Sequence, residues 1–205
     1  MRQLIKNTPV YFTDFVTKSK PLVWDDFRTK GASIYDDCYA SLKKEQNHLS
    51  GYTEKPLPSD NRGVHIDHFR KRSLFPKPKD VFDWNNLILD EHNVNCGADY
   101  KDAIIKTVPD NLKLIDPISE NPHLFFTYML NGHIKPQNGL SAQNKDRAEF
   151  TINAFNLNHP SLCEQRKNII RLIREYKSQD LSDEDIMLCM EGTGFTSTIE
   201  YALET

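Results

Sequence analysis

The chain has 205 residues, a net charge of −3, and 38% hydrophobic against 27% charged residues. That balance is ordinary for a globular domain with a real core, and no repeat or low-complexity tract breaks it. No signal-peptide pattern and no apolar run of bilayer length is seen, so no membrane association and a cytoplasmic setting are the default expectations.

Four cysteines (Cys38, Cys96, Cys163, Cys189) are widely spread with no pairing pattern, which fits free thiols in a reducing compartment. The modest net charge hides an uneven distribution. Between Asn61 and Lys79 stand Arg62, Arg70, Lys71, Arg72, Lys77 and Lys79 against the single acid Asp67, whereas the segment from Ser178 onward holds acids and no Lys or Arg. A local basic patch favours a polyanionic ligand even on an acidic chain.

In chain order, residues 1–22 contain Pro9 and Pro21 and little periodicity, and read as an irregular arm. Residues 24–46 carry partly helical spacing with a break at Gly31, and predict one or two helices. A turn-rich link (Pro56, Pro58, Gly63) leads into a first strand at Val64–Phe69, and the proline-containing stretch 73–80 is a loop. A second strand and a short helix at 99–106 follow, with Pro109 as its stop. Strands are predicted at 112–118 and 124–134, the latter turning at Asn131-Gly132. Helices are predicted at 143–155 and 160–177, and two short ones begin at the capping sequences Ser182–Asp185 and Ser197–Glu200.

Val64–Lys101 holds the residues with chemical content. Asp67-His68 is followed by cations, then Asn85-Asn86, then Glu91, His92, Asn95 and Asp99. An imidazole titrating near neutrality accepts a proton from water, and a neighbouring carboxylate holds a hard divalent cation; phosphodiester cleavage needs both. Alternation along a strand sends Asp67 and His68 to opposite faces, so they converge only if a turn follows. His65 shares the Asp67 face and reads as a hydrogen-bonded structural histidine. Arg70, Lys71 and Arg72 suit phosphate contact, Arg70 first among them. Lys101 reads either as a substrate contact or as an exposed helix cation.

Asp67-His68, Asn86-Leu87 and Asn95 resemble the motif of the ββα-metal (HNH) endonucleases, with Asn in the third position. The setting is similar to the PtuB-like HNH subunits of Septu-type and retron-linked antiphage systems. It is carried by Ile66-Asp67-His68-Phe69-Arg70, by Trp84-Asn85-Asn86-Leu87, and by landmarks such as Leu114-Ile115-Asp116-Pro117 and Gly132-His133-Ile134, over roughly residues 46–174. The resemblance implies an α+β fold: a ββα-metal finger embedded in a mostly helical single domain, with an N-terminal helical region (1–49), the HNH core (50–106), and a hairpin with C-terminal helices (107–205).

It further implies His68 as general base, Asp67 and Asn95 as ligands of Mg2+ or Mn2+, and Asn86 as the residue that holds the base's loop. His92 and Asp99 stay open as alternative third ligands. Arg70, Lys71 and Lys101 are the expected substrate-binding residues. Many relatives staple this finger with zinc on two Cys-x-x-Cys pairs; the corresponding places here carry Ser50, Thr53, Glu91 and Val94, so no structural zinc is expected and packing by Tyr52, Phe69, Phe82 and Trp84 must serve instead.

The implied function is an endonuclease acting on nucleic acid, DNA first, as the effector of an antiphage complex. Its implied partner is a PtuA-like ATPase of the ABC/SMC class, with a retron reverse transcriptase and its DNA-RNA product as a further one. No Gly-x-x-x-x-Gly-Lys-Ser/Thr loop occurs here, so ATP binding belongs to the partner. A nuclease aimed at RNA such as tRNA, and a catalytically silent nucleic-acid-binding module, are the rival readings.

Overall fold

A computed structural model describes residues 1–205, all but the side chain of Ala32. Three helices come first: α1 (Val10–Ser19), α2 (Asp26–Lys30) and α3 (Ala32–Glu45). The expected irregular arm is therefore helical over ten residues. Pro9 stands as N-cap with extended backbone dihedrals, so it opens the helix instead of breaking it. Gly31 separates α2 from α3, as its position in the pattern predicts.

The centre of the molecule is a two-stranded antiparallel sheet, β1 (Val64–His68) with β2 (Leu87–Glu91), whose register sets His65 opposite Asp90 and Asp67 opposite Ile88. A short helix, α4 (Pro78–Val81), lies in the connection between the strands, and α5 (Ala98–Ile104) follows β2. The order is thus strand, strand, helix. Both faces of the sheet are covered. Ile66, Leu87 and Leu89 join the aromatic cluster of Phe12, Phe15, Phe27, Phe82 and Trp84 under α1–α3, while Ile88 joins Tyr52, Phe69, Ile105, Ile115 and Phe155 on the other side. Two-sided burial explains why β2 reads as a continuous apolar run, Leu-Ile-Leu. The four residues expected to hold the finger by packing (Tyr52, Phe69, Phe82, Trp84) are all buried.

The free edge of β2 is closed by side-chain and turn backbone. The buried Gln46 amide donates to the Leu89 carbonyl at 2.9 Å and accepts from the Leu89 amide at 2.7 Å, and the Gly51 amide donates to the same carbonyl at 3.0 Å. Such an edge would otherwise leave unpaired groups in the core.

Downstream, α6 (Val108–Lys113) replaces the start of the strand expected at 112–118. Thr107 caps it, accepting from the Asp110 amide, and Pro109 sits in its first turn, where a missing N–H costs nothing. Pro109 therefore begins a helix instead of ending one. The hairpin is present but short: β3 (Phe126–Tyr128) pairs with β4 (Ile134–Pro136). At its turn Gly132 has φ +80° and faces the Cys163 carbonyl so closely that a Cβ would meet it at 2.0 Å. The buried Arg166 guanidinium clamps this turn to the following helices, donating to the Gly132 carbonyl at 2.6 Å and the Leu157 carbonyl at 2.5 Å. Then come α7 (Ala142–Ala154), α8 (Pro160–Ser178), α9 (Asp183–Cys189) and α10 (Thr196–Glu204). Leu162, Ile169, Ile170 and Ile173 form the buried stripe of α8. Ser182 caps α9 as expected, but α10 begins two residues earlier than Ser197–Glu200 suggests: Ser197 is buried inside it, its amide donating to Glu54 at 2.9 Å. Among the described residues no helix is long and apolar enough to cross a membrane, and all four cysteines are free.

A polar knot joins the turn at Ser50 and Thr53 to β2 and α5. The Ser50 hydroxyl donates to Asp90 Oδ1 at 2.5 Å and accepts from the Thr53 amide at 3.0 Å, and Asp90 Oδ2 accepts from the Ala98 amide at 2.6 Å. One carboxylate so ties the 50–54 turn, β2 and the start of α5 together. Gly97, at φ +79°, gives it room, because a Cβ there would lie 2.3 Å from Asp90 Oδ2. Burial pushes the Asp90 carboxyl up to about 7. Its folded-state value exceeds the unfolded one, so the stability it contributes is full at acid pH and is lost as pH rises toward 7. We therefore expect the melting temperature of wild type relative to Asp90→Asn to fall between pH 5 and pH 8; a difference that grows with pH contradicts the assignment.

Candidate functional site

β1, the loop after it, His92 beyond β2 and the first turns of α5 enclose a cleft of about 520 Å3. It is lined by His65, Ile66, Asp67, His68, Lys71, Arg72, Ser73, His92, Asp99 and Asp102. Two of these, His68 and Asp67, are fixed by contacts that involve Asn86 and Lys101 from outside the lining.

His68 ends β1 and is buried, with its Nε2 2.9 Å from the Val81 carbonyl. A carbonyl can only accept, so Nε2 carries the hydrogen and Nδ1 is left as the lone-pair nitrogen in the neutral ring. Burial pushes the ring down to about 4, outweighing the pull of the Asp67 charge, and the imidazole is neutral at pH 7. Trp24 supports it edge-on, ring centroids 4.4 Å apart at 84°.

The Val81 carbonyl is itself placed by Asn86. The buried Asn86 amide accepts from the Arg70 backbone amide at 2.6 Å and donates to the Asp80 carbonyl at 2.8 Å, so it binds the two ends of the loop that carries Val81. Asp67, on the opposite face of β1, is buried with its Oδ2 held by the Tyr52 hydroxyl at 2.5 Å and by Lys101 Nζ at 2.6 Å. Its Oδ1 makes no hydrogen bond among the described residues.

Lys101 differs from both expectations for it. It projects inward from α5 and is fully buried, its ammonium also donating to the His68 carbonyl at 2.9 Å and lying 3.2 Å from Asp102 Oδ1. Burial alone would lower the Lys101 ammonium, but the Asp67 and Asp102 carboxylates outweigh it and hold it above its ordinary value. For Asp67, burial would raise the carboxyl, and Lys101 overcomes it and holds the group below the usual range. Both partners are thus ionised.

The remaining predicted residues are not brought together as expected. Asn95 sits in the exposed turn before α5, away from the cleft lining; its carbonyl accepts from Asn156 at 2.7 Å. Asn95 is thus absent from the lining that contains Asp67, and Asp67 Oδ2 already faces a cation. Arg70 turns to Asp83 (2.6 Å) instead of the cleft. Lys71 lines the cleft while its ammonium donates to carbonyls at the end of α5, 3.0 Å for Ile105. The free cation at the rim is Arg72, exposed, with its guanidinium 5.7 Å from the Trp24 ring centre.

The cleft mouth holds a second constellation. His65, His92 and Asp99 offer ligand atoms that all lie within 4.8 Å of one another. The two imidazoles stack at 3.9 Å and 11°, and His92 Nδ1 is 3.2 Å from Asp99 Oδ2. His65, expected to be a hydrogen-bonded structural residue, has an Nδ1 that is buried without a partner. Its i, i+2 relation to Asp67 marked the shared face, but nothing in the local pattern brought His92 to it. Trp24, forty-odd positions before His68, carried no local signal at all.

Neither a scan of protein-family models nor a search of curated proteins finds a match for this chain.

Removing Lys101 should leave a buried carboxylate uncompensated. Lys101→Met is expected to cost about 3–5 kcal/mol in denaturant unfolding, and adding Asp67→Asn to it should recover part of that loss. Independent, additive losses for the two substitutions would contradict a direct buried pair.

Proposed function

We propose that the chain is a metal-dependent phosphodiester hydrolase of the HNH type acting on nucleic acid. The observation that carries this reading is His68: a neutral ring, hydrogen-bonded through Nε2 to a carbonyl that Asn86 positions, with its other nitrogen unpaired in a cleft bordered by Arg72, Lys71 and Ser73. In such a site Nδ1 takes the proton of a water whose oxygen forms the new bond to phosphorus, while the bond to the sugar oxygen breaks and that oxygen leaves. Arg72 meets the non-bridging phosphate oxygens at the rim, and the Trp24 ring beneath it holds both the guanidinium and His68 in place.

Lys101 keeps Asp67 ionised and fixed, and places one positive charge at the floor of the cleft. A divalent ion bound at His65, His92 and Asp99 would supply the further positive charge that a phosphodiester transition state requires. Asp67 already has Lys101 as its partner, and Asn95 lies outside the cleft lining.

A second reading has one observation behind it. The ammonium already paired with Asp67 stands where a metal would be expected from the resemblance, and a binding module without chemistry would tolerate that. The pinned tautomer of His68 and its unpaired nitrogen are what a silent module would have no need to keep. The partners proposed with the hydrolase are those of the resemblance: an ABC/SMC-class ATPase, and a retron reverse transcriptase with its product. DNA is the first substrate to test and RNA the second.

With labelled DNA and RNA, alone and with the ATPase, we expect cleavage in Mn2+ that EDTA abolishes. His68→Ala should lower the rate by about 10²–10⁴-fold, and Arg72→Ala should act mainly through KM. If wild type cuts neither polymer with or without the ATPase, the hydrolase reading fails and the binding module replaces it.

A further inference from the structure

The geometry points to a transition-metal site at the mouth of the cleft, formed by His65, His92 and Asp99 and separate from Asp67. The three side chains come from three elements of the finger. His65 lies in β1, His92 directly follows β2, and Asp99 stands in the first turn of α5. Their backbones are held in place: His65 by its register against Asp90, His92 by its amide donating to the Gly63 carbonyl at 2.6 Å, and α5 by the bond of Ala98 to Asp90.

Hydrogen bonding within the trio does not account for the arrangement. His65 Nε2 is 3.8 Å from Asp99 Oδ1, too far for a hydrogen bond, and His65 Nδ1 is buried without any partner. Two imidazole rings stacked nearly parallel at 3.9 Å set like electron density face to face and gain little from each other. A shared cation would give one nitrogen of each ring and the Asp99 carboxylate a common partner that hydrogen bonds within the trio do not supply. Ligand atoms around a tetrahedral ion lie roughly 3–3.5 Å apart when each bond is about 2.0–2.2 Å, and atoms already within 4.8 Å of one another reach that spacing by small side-chain rotations.

The donor set selects the class of ion. Two neutral imidazole nitrogens and one carboxylate suit zinc, cobalt, nickel or manganese, whereas magnesium and calcium prefer sites made wholly of oxygen. Three protein ligands would also leave at least one coordination position open, and the trio lines the same cleft as Asp67 and His68. Placement of the ion stands on geometry alone; its use on a phosphate oxygen rests on the hydrolase reading. This site is also distinct from a cysteine-type zinc staple, whose expected positions carry Ser50, Thr53, Glu91 and Val94.

The test is metal binding read without any activity measurement. The full-length protein, stripped with chelator, is titrated with ZnCl2 by calorimetry and with CoCl2 by visible absorption. We expect one equivalent per chain, cobalt bands that report nitrogen ligation, and no displacement by millimolar Mg2+. His92 is exposed, so His92→Ala leaves the fold intact and should weaken binding by at least about tenfold; His65→Ala and Asp99→Asn should do the same. The paired variant Asp67→Asn/Lys101→Met, which leaves no uncompensated charge beside α5, and Ser50→Ala should keep wild-type affinity. Absence of binding to wild type overturns the site. So does retained affinity in His92→Ala, or loss of binding confined to the paired variant or to Ser50→Ala. Cleavage without such a site would leave the hydrolase reading standing, and binding without cleavage would leave the metal site standing.

Discussion

The arrangement of β1, β2 and α5 depends on one buried ion pair, Lys101 on α5 with Asp67 on β1. Neither charge would survive in this core alone, since an isolated ion in such surroundings costs several kcal/mol or changes its protonation. Together, with the Tyr52 hydroxyl, the His68 carbonyl and Asp102 around them, they join the strand to the helix at the floor of the cleft. The pair also decides what Asp67 can do. One of its oxygens is committed to an ammonium, so the carboxylate works as part of the scaffold and as a fixed charge, and the donors left for an external ion lie farther out.

That division of labour organises the whole cleft. Asp90 with Ser50 fastens the outer turn, Lys101 with Asp67 fastens the floor, and Asn86 fastens the loop whose Val81 carbonyl fixes the ring of His68. Around these contacts the cleft is lined by Asp67, whose Oδ1 makes no hydrogen bond among the described residues, by His68, whose Nδ1 makes none, and by His65, His92 and Asp99. The helices α1 to α3 add Trp24 from outside the finger and bury the strand face behind His68. The N-terminal region is thus structurally part of the site, although it contributes only one ring to it.

Much of this was legible in the sequence because it is local. The strand pair, the short helix after it, the hairpin at Gly132 and the stripe of α8 follow from alternation, helical spacing and turn residues. The Asp67-His68 and Asn86 spacing drew attention to the right stretch. What could not be read were contacts set by tertiary geometry. Lys101 looked like a surface cation because nothing in Tyr100-Lys101-Asp102 tells which way the helix turns. Arg70 looked available because Asp83, which engages it, lies 13 residues away, and Asn95 looked close to Asp67 although it stands outside the cleft lining. Pro9 and Pro109 misled for a simpler reason: proline opens a helix as readily as it ends one, and only the dihedrals of the preceding residue separate the cases.

The central claim is that His68 stands ready as a neutral base with its cleft-facing nitrogen free. Long-range proton–nitrogen NMR of histidine-labelled protein reads this directly. The account predicts that His68 holds its hydrogen on Nε2 and a bare lone pair on Nδ1 throughout pH 5.5 to 8. A hydrogen on Nδ1 instead, or a doubly protonated ring at pH 7, would contradict it.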